Sequence, residues 1–238
     1  DKGWTPLAQA AYKGHLTTVR VLAELGADPT TPKPTGFAAI HGAAEGGKED
    51  VVRALIDEYQ ISPMTPTYNG WTPLHGPAEK GEEDMVELLV KEFKADVNCA
   101  MNDGRLPIHT AADTGQTWMV RKLVAEMGCN PTAADKNGAT VLWYAAWKGR
   151  CDVVRMLANE FGADPKTPMT CGRSPLHAAA EKGHVSMVQL LVNEFKLSPS
   201  QRCKALHTPS YDARQHGHDA IVSMLEDMMR VEAAAAAA

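Results

Sequence analysis

Apolar residues in this chain return on a long beat. Valine recurs at Val19, Val52, Val86, Val120, Val154, Val188 and Val222, and each is followed three residues later by leucine, at Leu22, Leu55, Leu89, Leu123, Leu157, Leu191 and Leu225. An i, i+3 pair of this kind lies on one face of a helix, so the pattern predicts the same buried stripe seven times over. Ahead of five of the stripes stands a pair of alanines: Ala10–Ala11, Ala43–Ala44, Ala111–Ala112, Ala145–Ala146 and Ala179–Ala180. Residues that small let neighbouring helices approach closely.

Glycines punctuate the beat. One set falls at Gly3, Gly36, Gly70, Gly104, Gly138 and Gly172, a second at Gly14, Gly47, Gly81, Gly115, Gly149, Gly183 and Gly217, and every spacing within a set is 33 or 34 residues. A fixed period of this length is the mark of a stacked repeat, in which no copy can bury its apolar face alone. Between the paired glycines the chain reads "GWTPLAQAAYKG", "GWTPLHGPAEKG" and "GRSPLHAAAEKG", while the last copy, "LHTPSYDARQHG", has Leu206 in place of the first glycine. Thr or Ser before Pro predicts an N-cap followed by proline at the first helical position, where its missing N–H costs nothing. The second glycine ends this short helix and a longer one follows.

Gly26, Gly128 and Gly162 suit the left-handed residue after the second helix; Gln60, Lys94 and Lys196 occupy the same place and predict a small strain. Stretches such as "SPMTPTYNG" and "DVNCAMNDG" predict extended fingers with Asn-Gly and Asp-Gly turns. Pro32, Pro34, Pro66 and Pro168 stiffen the fingers and take N–H groups out of any ladder between them.

These segments resemble the ankyrin-repeat family, whose T-P-L-H-x-A signature and 33-residue period they share. The resemblance covers residues 1 to about 229 and implies an all-α solenoid of about seven helix-turn-helix repeats joined by β-turn fingers, in a single domain. The repeats are expected at 1–33, 34–68, 69–102, 103–136, 137–170 and 171–204, with a C-terminal cap at 205–229 and a tail at 230–238. The six final alanines either extend a helix or stand for unidentified residues, and no function is read into them. Ser210 and Arg214 replace the usual apolar and small residues, which gives the seventh repeat the polar outer face of a cap. The first repeat shows no such conversion, so further protein is expected ahead of Asp1. Most repeats hold 34 residues, the extra one falling near the end of the second helix, as in "LANEFGADP" against "LAELGADP". Pro77 replaces the first alanine of the pair four residues after Pro73 and predicts a short or kinked first helix in the third repeat.

Composition narrows the chemistry. A net charge of −5 gives no electrostatic footprint for a phosphate backbone, so no nucleic-acid partner is expected. The 238 residues hold no apolar run long enough to span a membrane and no signal-like stretch. Five cysteines without a C-x-x-C pair read as reduced thiols, which points to an intracellular and in the first place cytoplasmic protein, with organelle or nucleus left open.

No nucleophile elbow, phosphate loop, H-E-x-x-H or acid/base carboxylate pair is present, so neither catalysis nor a cofactor is expected. His41, His75, His109 and His177 recur at one position, and copies about 10 Å apart cannot converge on one zinc ion; the resemblance implies structural histidines bonded to finger backbone. No metal site is expected, and a hydrolase built on His216 and His218 is the weakest reading.

The resemblance implies a protein partner bound on the concave side, formed by the fingers and the exposed face of each first helix. Carried over position by position, the residues after the first glycine contribute Trp4, Phe37, Trp71, Arg105 and Arg173. The face of the first helix contributes Tyr12, Glu45, Glu79, Asp113, Tyr144, Trp147, Lys148 and Glu181, so that an acidic row, Glu45, Glu79 and Asp113, runs beside an aromatic pair, Tyr144 and Trp147. Trp118, at the start of a second helix, suggests a convex contact. The function expected is therefore a scaffold, adaptor or subunit of a larger assembly whose partner carries a basic patch or an aromatic-accepting pocket. The alternative is a regulatory or targeting segment of an enzyme whose catalytic domain lies outside this chain.

Overall fold

A computed structural model describes residues 3–236, and among them the chain is helical apart from turns, fingers and one isolated bridge between Ala134 and Thr140. The first helices of the repeats are α1 (Pro6–Lys13), α3 (Ala39–Glu45), α5 (His75–Lys80), α7 (Pro107–Thr114), α9 (Val141–Trp147), α11 (Pro175–Glu181) and α13 (Pro209–Gln215). The second helices are α2 (Leu16–Glu24), α4 (Glu49–Asp57), α6 (Glu83–Glu87), α8 (Thr117–Ala125), α10 (Cys151–Phe161), α12 (Val185–Gln189) and α14 (Asp219–Ala236). The first two of the six terminal alanines and the two after them thus continue α14, while residues 237–238 lie outside the described part. The chain divides into two compact bodies, residues 1–111 with 118–129 and residues 112–117 with 130–238.

In both bodies the core is the repeated stripe. Every valine and leucine of the beat is buried except Leu22, which is half-buried, and the alanines of the five pairs are buried with them. Burial of each such leucine side chain is worth roughly 2 kcal/mol.

The first helices start in two ways. Where the fourth residue counted from the cap is not histidine, a threonine hydroxyl accepts the orphan N–H: Thr5 from Ala8 at 3.1 Å, Thr140 from Trp143 at 3.1 Å and Thr208 from Tyr211 at 3.3 Å. Where it is histidine, the ring reaches back instead, and Nδ1 of His41, His75, His109 and His177 accepts from the N–H of Ala38, Thr72, Leu106 and Ser174. Each first helix thus satisfies at least one otherwise unpaired backbone donor at its start by one device or the other. In the third repeat Pro77 has no N–H for the Pro73 carbonyl, and α5 is only six residues long, beginning two residues later than the helices that open on proline.

The thirty-fourth residue has a definite place. In the first repeat the Leu22 carbonyl accepts from Ala27, five residues on; the equivalent carbonyls of Leu55, Leu89, Leu123, Leu157 and Leu191 accept from Ile61, Ala95, Cys129, Ala163 and Leu197, each six residues on. The same closing bond therefore encloses one more residue. In the third and sixth repeats the slack is taken up as a π-turn, Leu88–Glu92 and Leu190–Glu194. Gln60, Lys94 and Lys196 stand at φ 56° just after these helices, the left-handed place that Gly26, Gly128 and Gly162 fill elsewhere.

The fingers close on themselves and on each other. Tyr68 N–H donates to Thr35 O, Asn102 to Asn69, Thr170 to Asn137 and Lys204 to Cys171. Gly36 is indispensable to this approach, because a Cβ there would lie 2.4 Å from the Tyr68 nitrogen. Pro34 stands at the donor position of its finger and has no N–H to give.

Two further sets of contacts join successive repeats. On the second helices, Arg20 forks onto Glu58, Arg53 onto Glu92 and Arg155 onto Glu194. Beyond the second glycine, His184 donates to Trp147 O at 3.0 Å, His218 to Glu181 O at 3.0 Å and Arg150 to Asp113 O at 3.1 Å.

Candidate protein-binding surface

In the N-terminal body, the residues after the finger glycines form an aromatic row. The Trp4 ring meets Tyr12 edge-on at 5.5 Å and Phe37 at 5.3 Å, while Phe37 and Trp71 each lie against the next histidine, His41 and His75, at 5.1 Å. Lys33 places its ammonium 4.6 Å from the Trp4 ring and 4.2 Å from the Phe37 ring, within cation–π range.

One repeat further on the surface opens into a groove of about 670 Å³ lined by Phe37, Glu45, Thr67, Tyr68, Trp71 and Glu79, with Asn69 and Asn102 at its finger edge. Phe37 and Trp71 are half-buried and Tyr68 is 70% exposed at the finger tip. Glu45 lies 3.4 Å from the ammonium of Lys80, which also donates to the Glu45 carbonyl at 2.7 Å. Arg105 turns to its own finger and holds Asp103 at 2.8 Å.

The C-terminal body has its own aromatic group, built differently. Trp147 stacks on Trp143 at 5.1 Å with the planes 22° apart, Tyr144 meets Trp143 edge-on at 5.6 Å, and the Tyr144 hydroxyl donates to Asp135 at 2.9 Å. Trp143 is buried against Ala139 and Ala178, Met169 packs on the cluster, and Lys182 caps Trp147 at 4.0 Å. The Trp143 indole N–H has no hydrogen-bond partner among the described residues, since tryptophan here replaces the histidine of other repeats.

The charged positions are largely paired. Asp113 faces Lys148 at 3.5 Å, as Glu45 faces Lys80, so each of these carboxylates is offset by the lysine of the next repeat. Glu181 is buried rather than presented: Arg173 holds it together with Asp212, the latter at 3.0 Å. Burial pushes the Glu181 carboxyl up, and the Arg173 guanidinium outweighs this and holds it below the usual carboxylate range. Trp118 stands on α8 with 41% of its surface exposed.

The recurring histidines are backbone ligands. With Nδ1 accepting at the helix start, Nε2 donates to the next finger, from His41 to Trp71 O at 3.2 Å and from His177 to His207 O at 3.1 Å. Burial pushes His41 and His75 down to about 4, so both are neutral at pH 7. His216 and His218 bond to the carbonyls of Asp212 and Glu181. Among the described residues no group of three or more His, Cys, Asp or Glu is placed to hold a metal ion, and no helix is long and apolar enough to cross a membrane.

The comparisons with known proteins agree with this geometry. A family model described as ankyrin repeats in three copies matches residues 26–101, 90–169 and 161–233, and a single ankyrin-repeat model matches residues 2–33. The chain belongs to the ankyrin-repeat family.

Ankyrin repeats are protein–protein interaction modules, and this chain carries them over nearly its whole length. Among curated relatives, the Notch-regulated ankyrin repeat-containing protein B of Danio rerio is 38% identical over 61 residues, 26% of this chain and 55% of that protein. The Homo sapiens Notch-regulated ankyrin repeat-containing protein is 40% identical over 55 residues, 23% of this chain and 48% of that protein. The chain thus spans about half the length of the curated relatives it matches. Among solved structures, the ankyrin repeat domain of Bcl-3, described as a unique member of the IkappaB protein family, superposes with a TM-score of 0.66 at 26% identity, covering 97% of this chain and 100% of that one.

The sequence did not single out Tyr68, Thr67 or Lys33, because their importance lies in which neighbour's ring they reach. The Arg–Glu forks were readable in principle, since Arg20, Arg53 and Arg155 each follow the valine of the beat.

Proposed function

We propose that this chain is a non-enzymatic scaffold or adaptor that binds a protein partner on the concave faces of its ankyrin repeats. The observation that carries the reading is the open groove of the N-terminal body. Its walls include Phe37, Trp71, Glu45 and Glu79, the finger and first-helix positions expected from the repeat frame to face a partner. Half-buried aromatic rings supply contact area at low entropic cost, and the carboxylates at the rim favour a partner with basic character. The Tyr144–Trp147 ledge and the exposed Trp118 are proposed as secondary contacts, the latter on the outer helices. The five cysteines are free thiols, and burial raises Cys99 to about 11 and Cys129 to about 12, which suits an intracellular protein with inert structural thiols.

The test is affinity capture on the tagged chain with quantitative mass spectrometry, comparing the parent with Phe37→Ala/Trp71→Ala and with Tyr144→Ala/Trp147→Ala. The groove variant is expected to lose its specific partner at least tenfold while remaining folded by circular dichroism. An unchanged set of captured proteins in both variants would overturn the reading.

A further inference from the structure

In four of the fingers one position decides whether the aromatic step beside it is covered. It is the residue whose N–H closes the finger: Lys33 to Phe37 O, Thr67 to Trp71 O, Asp135 to Ala139 O and Met169 to Arg173 O. These residues are structurally equivalent, and their side chains do different things. Lys33 lays its ammonium over the Trp4 and Phe37 rings. Asp135 holds the Tyr144 hydroxyl, and Met169 packs on the tryptophan cluster. Thr67 turns its hydroxyl back to its own finger, accepting from Trp71 N–H at 2.9 Å, and is too short to reach the rings.

The open groove lies at this step. Its walls are Phe37 and Trp71, with Thr67 where a longer residue would fill it. The groove also has Glu45 and Glu79 in its wall and no lysine or arginine among its lining residues. A cation is thus favoured by ring faces and by carboxylates at once.

We infer that this groove receives a lysine or arginine side chain of the partner, in the place that Lys33 fills one repeat earlier from within the chain. The inference rests on the protein-binding reading above and gives it a chemistry. An ammonium or guanidinium enters between Phe37 and Trp71 beneath Tyr68, with its charge toward Glu45 and Glu79. The Lys80 contact to the Glu45 carboxylate is exposed and long, so an incoming cation can share that carboxylate at little cost.

The test uses the 15N-labelled full chain and four capped pentapeptides, Gly-Ser-X-Ser-Gly, with X lysine, arginine, norleucine or glutamate. The indole resonance of Trp71, assigned from its loss in Trp71→Phe, is expected to move saturably with the lysine and arginine peptides and at least tenfold less with the other two. Thr67→Lys should occupy the step from within and weaken the response at least tenfold. The pair Glu45→Gln and Glu79→Gln should weaken it about fivefold even if Thr67→Lys fails to fold.

A norleucine peptide that shifts Trp71 as strongly as lysine would overturn the cationic occupant, as would an unchanged response in a folded Thr67→Lys chain. If partner capture persists and depends on Phe37 and Trp71 while all four peptides are silent, the occupant is wrong and the protein-binding reading stands. If the peptides bind as expected and capture is indifferent to the groove, the reverse holds.

Discussion

The two bodies carry aromatic groups on the same face of the repeat, and only one of them is open. Phe37 and Trp71 border a groove of about 670 Å³, whereas Trp147 is stacked on Trp143, capped by Lys182 and joined by a Tyr144 whose hydroxyl is already bonded to Asp135. By sequence the second group is the more conspicuous, with three large aromatics in five residues. The difference shows that aromatic density does not by itself make a binding surface. A ring becomes part of a cluster when its own repeat supplies a second ring and the adjoining fingers supply Asp135 and Met169. It remains available when the finger residue beside it is as short as Thr67.

The sharpest way to break this comparison is to remove a ring from each group. Trp143→Ala should lower the free energy of unfolding by about 4 kcal/mol, because it leaves a cavity under Trp147 and Tyr144. Trp71→Ala, at a half-buried position, should lower it by about 1 kcal/mol. Urea titrations followed by circular dichroism measure both. Equal losses would mean that the two groups are the same kind of structure.

Acid sharpens the contrast in a second way. In the N-terminal body His41 and His75 sit at the frame position that Trp143 takes in the other body, and burial has pushed both histidines down to about 4. The unfolded chain takes up these protons below roughly pH 6.5 and the folded chain only near 4, so between the two the unfolded state binds more protons. Stability from neutral histidine is therefore complete above that window and falls as pH falls, by about 2 kcal/mol per residue at pH 5. Tryptophan does not titrate. Amide exchange measured at pH 7 and pH 5, corrected for intrinsic rates, should show α3 and α5 loosening ahead of α9; uniform loosening would count against the histidine account.

How much of this was legible beforehand follows from what repetition can and cannot encode. The frame of helices, the buried Val and Leu stripe, the short α5 at Pro77 and the left-handed Gln60, Lys94 and Lys196 depend on residues within one repeat, and the 33- to 34-residue period exposes them. The thirty-fourth residue was visible as a count. Its consequence, a closing bond that spans six residues and a π-turn at Leu88–Glu92, was not, because it depends on how the backbone absorbs the slack. The pairing of Glu45 with Lys80, the joining of Asp212 to the Arg173 that holds Glu181 and the covering of Trp147 each need a partner from another repeat. A single frame position read alone presents them as free surface.

The smallest expected effect concerns the end of the C-terminal body, where the frame itself fails. Leu206 replaces the finger glycine and is held at φ 62° with its side chain 68% exposed, so it bears the left-handed strain without any burial to offset it. Its nitrogen still closes the finger onto Cys203 O, which fixes the conformation. Leu206→Gly relieves a cost of about 1–2 kcal/mol and returns part of it as added freedom of the unfolded chain, leaving a net gain of about 0.5–1 kcal/mol. The converse change, Gly172→Leu at φ 83°, meets the Lys204 nitrogen at 3.0 Å from the new Cβ and should lose more than Leu206→Gly gains, because it also disturbs the finger ladder. Exchange protection of α13 reports both without requiring the whole chain to unfold at once. A Leu206→Gly chain with α13 no better protected would place the strain elsewhere than at this φ angle.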